Sequence, residues 1–188
     1  MTGKTKPNGF TLVELTIAIT IALLILLIVS ATFVLNQRVF RKSNLKSELT
    51  QNARITLDLM AREIRQAQDI VTILPENDLN AQTIAHEIEF EDGHITSQIQ
   101  YIRYYLDNSN LQRQIIVYYF DTDPDTHVYW DDIDAFGSPE MLVLEEKTIG
   151  ENFSNINFYG TDNINIELTL EKQTEQIQIN TLINPRNI

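Results

Sequence analysis

The hydrophobic and polar positions divide the chain into three zones. Residues 15–35 form an uncharged, mostly apolar run, roughly the twenty residues that a helix needs to cross a bilayer. Residues 45–67 carry apolar side chains at spacings of three and four, the period of an amphipathic helix. From residue 87 onward, short stretches alternate between apolar and polar positions, as strands do. The pattern predicts one long helix followed by a strand-rich domain.

The helix is expected to be continuous, because no Gly or Pro occurs between residues 10 and 67. In its second half, one apolar stripe consists of Leu45, Leu49, Ala53, Leu57, Met60, Ile64 and Ala67. A charged outer face is predicted for Lys46, Glu48, Arg54, Asp58, Arg62, Glu63 and Arg65. We expect the stripe to pack on the chain's own β domain, since it is short for the alternative, a coiled-coil stalk.

The strand-rich zone predicts a series of hairpins. Residues 87–91 alternate strictly, and Asp92-Gly93 after them is a hairpin-turn signal. Further strands are predicted at residues 99–106, 115–120, 141–144 and 153–159. A last hairpin pairs residues 164–170 with residues 177–183. We expect an antiparallel sheet whose one buried face is covered by the helix stripe.

Charge and composition exclude several classes of function. The net charge is −12, and the acidic residues dominate beyond Ala67, so the body would be repelled by nucleic-acid phosphates. No direct nucleic-acid binding is therefore expected. There is no cysteine, which leaves no disulfide framework, thiolate metal site or thiol nucleophile.

No catalytic constellation emerges, and we expect the chain not to be an enzyme. The histidines His86, His94 and His127 lack metal-ligand spacing, and the serines lack a glycine elbow. The three glutamates of residues 87–91 are interpreted as the solvated acidic face of a strand. A membrane-tethered hydrolase that uses these carboxylates is the weakest alternative.

One stretch is a candidate metal site. Its alternating carboxylates resemble the oxygen-ligand spacing of a calcium loop and are Asp121, Asp123, Asp125 and Asp132. Thr126 stands where such a loop needs glycine, and Pro124 intrudes. An acidic hairpin loop is the favoured interpretation, and calcium is the second, since crowded carboxylates without a cation repel one another. No other cofactor is expected.

The start of the apolar run carries the most specific pattern. Residues 4–14 read Lys-Thr-Lys-Pro-Asn-Gly-Phe-Thr-Leu-Val-Glu. A secretory signal peptide would have a shorter apolar run and a small-x-small cleavage site after it. A plain signal-anchor helix fits the length but leaves Glu14 unexplained, because a carboxylate near hydrocarbon is costly and usually has a partner or a role.

This segment resembles the prepilin signature of type IV pilins and type II secretion pseudopilins. The resemblance rests on the basic leader, Gly9, Phe10 and Glu14. It implies that a prepilin peptidase and methyltransferase cuts after Gly9 and methylates the new amine of Phe10. It also implies that Glu14 meets the Phe10 amine of a neighbouring subunit and so sets the register of assembly, a pairing that would offset the cost of a lone carboxylate.

The resemblance implies a pilin-like α+β fold with four parts. Residues 1–9 are a leader removed on maturation, and residues 10–35 are a transmembrane and filament-core helix. Residues 36–68 continue that helix in amphipathic form, and residues 69–188 are an antiparallel β domain. A single pass through the cytoplasmic (inner) membrane is implied, with the β domain outside the cytoplasm and then in a cell-surface or periplasmic filament. The leader lysines agree with this orientation, and basic residues at 38–42 weaken that signal.

Two further segments resemble one branch, the PilW-type minor pilins and J-type (GspJ-like) pseudopilins. They are residues 52–67 and residues 101–113, in which Arg113 is a rim residue or a partner for the surrounding acids. A helix-bending proline common in major pilins is missing, with Ala31 at its place. The branch implies a minor pilin or pseudopilin near the filament tip of a pilus, competence or type II secretion apparatus. Its partners would be other minor and major pilins or pseudopilins and the inner-membrane assembly platform.

An alternative function belongs to a different class. The chain would then be a single-pass membrane-anchored binding module, whose acidic loops hold calcium or a ligand and which never enters a filament. Cleavage after Gly9 separates the two, because only the assembly hypothesis requires it.

Overall fold

A computed structural model describes residue 9 and residues 11–77, 85–94 and 98–186. Within these residues one helix, α1 (Leu12–Ile64), precedes eight strands. The strands are β1 (Glu87–Glu91), β2 (Tyr101–Asp107), β3 (Asn110–Phe120), β4 (Asp123–Val128), β5 (Glu140–Glu151), β6 (Phe153–Tyr159), β7 (Ile164–Lys172) and β8 (Glu175–Ile183). One long helix packed on antiparallel sheets confirms the predicted α+β, pilin-like fold class.

The chain forms two compact units, and α1 contributes to both. The first is Met1–Asn44, and its described part consists almost entirely of the first portion of α1. The second is Leu45–Ile188, which holds the rest of α1 and all the strands. Among the described residues, the buried hydrophobic core lies in the second unit.

The predicted apolar stripe is confirmed in the second unit. Its buried members are Leu49, Ala53, Leu57, Met60, Ile64 and Ala67, and Leu45 is half-buried. Thr56 is buried as well, although the period of apolar residues does not single it out. The prediction of a charged outer face is wrong for Glu63, whose side chain turns toward the sheet and is only 11% exposed.

The strands form two sheets, where the sequence predicted one. In the first sheet the order is β1-β2-β3-β4, and β5 also pairs with β3. Because β2 and β5 pair with the same residues of β3, they flank it on opposite sides. The second sheet has the order β6-β7-β8. The chain passes from one sheet to the other at Asn152, whose φ of 66° turns the backbone between β5 and β6.

The core is shared by α1 and both sheets. The first sheet contributes Ile88, Phe90, Ile102, Tyr104 and Leu111. The second contributes Phe153, Ile156, Phe158, Ile164, Ile166, Leu168, Leu170, Ile177 and Ile183. The alternation along β7 therefore places its isoleucines and leucines inside, as predicted.

Two turns follow the sequence closely, and one does not. Residues 107–110 close a hairpin in which Asn108 has a φ of 54°, and Gln173 has a φ of 57° between β7 and β8. Asp92-Gly93 does not close a two-residue hairpin, because β1 and β2 are joined by residues 92–100. Gly93 is needed for a different reason: a Cβ there would lie 1.9 Å from the carbonyl oxygen of Gln66.

Three strands differ in extent from the prediction. β3 begins at Asn110, and β5 runs through to Glu151. β4 occupies Asp123–Val128, where an acidic loop was expected, and only residues 121–122 turn before it. Pro124 is compatible with this strand because β4 pairs on one side only, with β3.

Candidate functional site

The first turn of α1 is closed by a capping box that joins Thr11 to Glu14. The Thr11 hydroxyl accepts a hydrogen bond from the Glu14 backbone N–H at 3.3 Å. The Thr11 backbone N–H and hydroxyl each donate to Glu14 Oε2 at 2.9 Å. This reciprocal pattern satisfies donors at the helix start that would otherwise lack partners. Glu14 is therefore held at the exposed helix end by its own chain, through one carboxylate oxygen.

Gly9 precedes this cap and is exposed. A Cβ added to Gly9 would meet nothing within 4 Å. The fold itself therefore sets no steric requirement for glycine here. Phe10, the predicted methylation site, lies outside the described residues, as do the leader lysines.

The helix that follows is long and apolar enough to cross a bilayer. It contains an 18-residue window with a mean hydropathy of 2.9, and none of that window is buried. The hydroxyls of Thr16 and Thr32 donate to backbone carbonyls of the preceding turn, at 2.9 Å to Val13 and 2.8 Å to Ile28. Such internal hydrogen bonds let hydroxyl residues lie in an apolar surrounding.

The predicted calcium ligands are spread over three elements. Asp121 lies in the β3–β4 turn, Asp123 and Asp125 lie on β4, and Asp132 follows β4. Asp123 accepts a hydrogen bond from the Thr126 hydroxyl at 2.8 Å, and Asp132 accepts one from the Tyr129 N–H at 2.9 Å. No three His, Asp or Glu side chains gather to hold a metal within the described ranges. The structure thus does not assemble these four residues, and calcium binding stays a prediction.

Arg113 is the partner of an acid on α1 and not a rim residue. Its Nε donates to Glu63 Oε2 at 3.0 Å, and the Tyr104 hydroxyl donates to the same oxygen. Burial alone would lower the pKa of Arg113, but the Glu63 carboxylate outweighs it and raises that pKa. The group, which we name the Glu63 clamp (Glu63, Tyr104 and Arg113), joins α1 to β2 and β3.

The three glutamates of β1 are not one solvated face, so that expectation needs correction. Glu89 is half-buried and accepts a hydrogen bond from the Tyr118 hydroxyl at 2.6 Å, while Arg103 binds Glu87. Burial raises the pKa of Glu89, against the opposing effects of Tyr118 and Arg103. These contacts join β1 to β2 and β3. They form a structural network on the sheet face that lies away from α1.

The buried acid in the β1–β2 connection has a local structural role. Asp92 accepts hydrogen bonds from the backbone N–H of His94 at 3.0 Å and from the Gln100 amide at 2.7 Å. Burial acts to raise the pKa of Asp92, but these hydrogen bonds and the His94 ring outweigh it and lower the pKa. His86 is used differently, with Nδ1 lying 3.0 Å from the Ile156 carbonyl oxygen.

Sequence reasoning missed Thr11 and misplaced Glu63. The Thr11 cap has a local signal, a threonine three residues before a glutamate at the start of an apolar run. Glu63 has no local signal, because its partner Arg113 is 50 residues away in the chain.

Comparison with known proteins gives one family match. The model described as the prokaryotic N-terminal methylation motif matches residues 4–30. No curated protein and no solved structure matches the chain. The chain thus carries a prepilin-type N-terminal signature, which spans Gly9, the capping box and much of the apolar run. This signature supports a pilin-type or pseudopilin-type role, with processing by a prepilin peptidase and a single-pass anchor in the inner membrane.

Proposed function

We propose that this chain is a minor pilin or pseudopilin, stored in the inner membrane and assembled into a type IV pilus, competence or type II secretion filament. The observation that carries the proposal is the methylation motif at residues 4–30, set at the start of an unburied apolar helix. The open space around Gly9 also supports it, since a glycine that the fold does not need suits recognition by a peptidase.

The mechanism is mechanical. A prepilin peptidase cuts after Gly9 and methylates the amine of Phe10, and the apolar helix then leaves the lipid for the filament core. Glu14 sets the register by meeting the Phe10 amine of a neighbouring subunit. The capping box uses Oε2 of Glu14, so Oε1 is available to that amine without loss of the helix cap.

The β domain faces away from the cytoplasm and selects partners among other minor and major pilins or pseudopilins and the assembly platform. A place in the initiating tip complex fits the resemblance to PilW-type and J-type chains in residues 52–67 and 101–113. In this role the chain is itself a substrate of maturation and catalyses no reaction.

Three variants of the full chain test the proposal. Gly9→Val should leave the precursor uncut and absent from sheared filaments. Glu14→Gln should be cut normally but be depleted from filaments, because glutamine keeps the cap and removes the charge. Thr32→Val, in the same helix but outside the residues that the motif matches, should be cut and assembled like the natural chain. The readouts are the chain mass in membranes and the amount of chain in sheared material.

If Gly9→Val or Glu14→Gln enters filaments at the natural level, the proposal is wrong. If the natural chain is never cut and remains membrane-bound, the anchored binding module is the better function. Calcium belongs to that alternative, and a cation-dependent rise in melting temperature of the natural chain, absent in an Asp123→Asn, Asp125→Asn variant, would support it.

A further inference from the structure

Two edge strands of the first sheet, β1 and β5, differ in how their outer sides are covered. At β1, the preceding segment covers the edge: the Val71 N–H donates to the Glu89 carbonyl at 2.9 Å, and the Glu91 N–H donates to the Asp69 carbonyl at 2.8 Å. β5 forms the opposite edge and pairs only with β3. In the described part of the chain, no other segment forms a ladder with β5. Its outward N–H and C=O groups are therefore open to another strand.

The two halves of β5 differ in how they protect this edge. The later half carries charges at Glu145, Glu146 and Lys147, which discourage strand addition. The earlier half is the run Met141, Leu142, Val143 and Leu144, whose side chains are between 37% and 53% exposed. A register shift against β3 separates the halves, because Ile115 is opposite Glu145 and Ile116 is opposite Val143. The apolar half is thus an exposed edge with no charged side chain from Met141 to Leu144.

Other exposed apolar side chains lie in the segment just before β5. Ile133 is 78% exposed and Phe136 is 85% exposed. Phe136 also lines a groove with Phe120, Asp134 and Glu140, at the start of β5. The apolar half of β5 therefore adjoins an aromatic and acidic groove.

Charge indicates which kind of partner fits. Residues 120–146 contain nine acids and no Lys or Arg. A second copy would bring the same acids to the contact, and like charges placed together suppress such pairing. A strand with apolar residues flanked by Lys or Arg would match both the apolar run and the acids around it.

We propose that residues 140–144 of β5 are a docking edge that adds a β-strand from a different protein, one with apolar side chains flanked by Lys or Arg. Main-chain hydrogen bonds would give the added strand its affinity, and the side-chain pockets and acids would give selectivity among partners. The inference adds a partner surface to the proposed function but does not depend on cleavage at Gly9, since it concerns the β domain alone.

The test is photo-crosslinking in cells that make the full chain. Benzoylphenylalanine replaces Leu142 in one variant and Leu182 in the control, where it stands on β8 and is 58% exposed. Leu142→benzoylphenylalanine should give a product with a different protein, mapped by mass spectrometry to an apolar segment flanked by Lys or Arg. The product should be about tenfold stronger than at Leu182. Adding Met141→Lys should weaken it to the control level, because the added cation repels a basic partner.

Several results would overturn the docking edge. They are equal or absent products at the two positions, a product that contains two copies of this chain, and a crosslinked segment that is acidic or lacks apolar residues. The mass of the chain is measured in the same cells, so that a failure of docking is distinguished from a failure of maturation. A product at Leu142 on an uncut chain would retain the docking edge and contradict the proposed function alone.

Discussion

The two halves of α1 are continuous in sequence, but the apolar side chains of the first half are exposed and most of those of the second half are buried. From Leu12 to Asn44 the large apolar side chains are exposed all round, and the first turn is capped by Thr11. From Leu45 to Ile64 most of the apolar side chains form one stripe, which is buried against two sheets, and Ile55, at 59% exposed, lies outside it. The second half is therefore satisfied within its own chain, whereas the first half needs lipid or other subunits. This difference is what lets one helix belong to a folded domain and also carry an unburied apolar segment that is long enough to cross a bilayer.

The largest expected change in stability comes from truncating a core side chain in the second half of α1, compared with the same kind of truncation in the first half. Met60→Ala should lower the free energy of unfolding of the β domain by about 2–5 kcal/mol, because Met60 is fully buried and its removal leaves a cavity. Leu24→Ala should leave that free energy unchanged, since Leu24 makes no part of the core. Denaturant titration of the full chain in one detergent measures both. An equal loss of unfolding free energy in the two variants would contradict the difference between the two halves of α1.

The next effect compares two charge pairs that join α1 to the strands. Arg113→Met should cost about 2–3 kcal/mol, because it leaves the largely buried Glu63 carboxylate without its cation. Glu48→Gln removes the partner of Lys172 in an exposed pair and should cost less than about 1 kcal/mol. The melting temperatures of the two variants show which of the two charge pairs stabilises the fold more. A larger loss in Glu48→Gln would show that the Glu63 clamp does not secure the helix.

A smaller effect is expected at the helix start. Thr11→Val should destabilise the first turn by about 1 kcal/mol, because the hydroxyl that caps the Glu14 N–H is lost. Thr11→Ser keeps the hydroxyl and is the matched control. Amide exchange of the first turn in detergent should become faster in Thr11→Val only, and the β domain should melt at the same temperature in both variants.

The smallest effect is a pH dependence in the sheet face away from α1. Burial raises the pKa of Glu89 in the folded state, so the folded chain binds this proton more tightly than the unfolded chain does. Glu89 therefore contributes stability at low pH that is lost as the pH rises through its folded pKa. The natural chain should lose stability over that range relative to Glu89→Gln, whereas Glu171→Gln, at an exposed site, should follow the natural chain. Denaturation midpoints measured from acid to neutral pH check the direction.

The sequence predicts most reliably what depends on local periodicity. The spacing of Leu49, Ala53 and Leu57 is enough to place them in the core, because one helix face must meet one surface. Local periodicity does not predict the position of Glu63, because its inward orientation depends on Arg113, which is far along the chain. It also fails for Gly93, which looks like a turn residue and is required by the Gln66 carbonyl instead.

The apolar run at Met141–Leu144 shows a second limit of the sequence. Four consecutive apolar residues are typical of a buried strand, yet here they lie exposed on an edge. Burial of a strand depends on which strands pair beside it, and that is a property of the assembled sheets. At the N-terminus, by contrast, the signature is local, so residues 4–14 were sufficient to predict the motif that the family model matches.

The most direct test of the account is the mass of the N-terminal peptide of the chain isolated from membranes and from sheared filaments. We expect a mature chain that begins at Phe10 with a methylated amine, present in both fractions. A chain that still begins at Met1 or Thr2 in cells with an active prepilin peptidase would contradict it, and the first half of α1 would then be a permanent anchor.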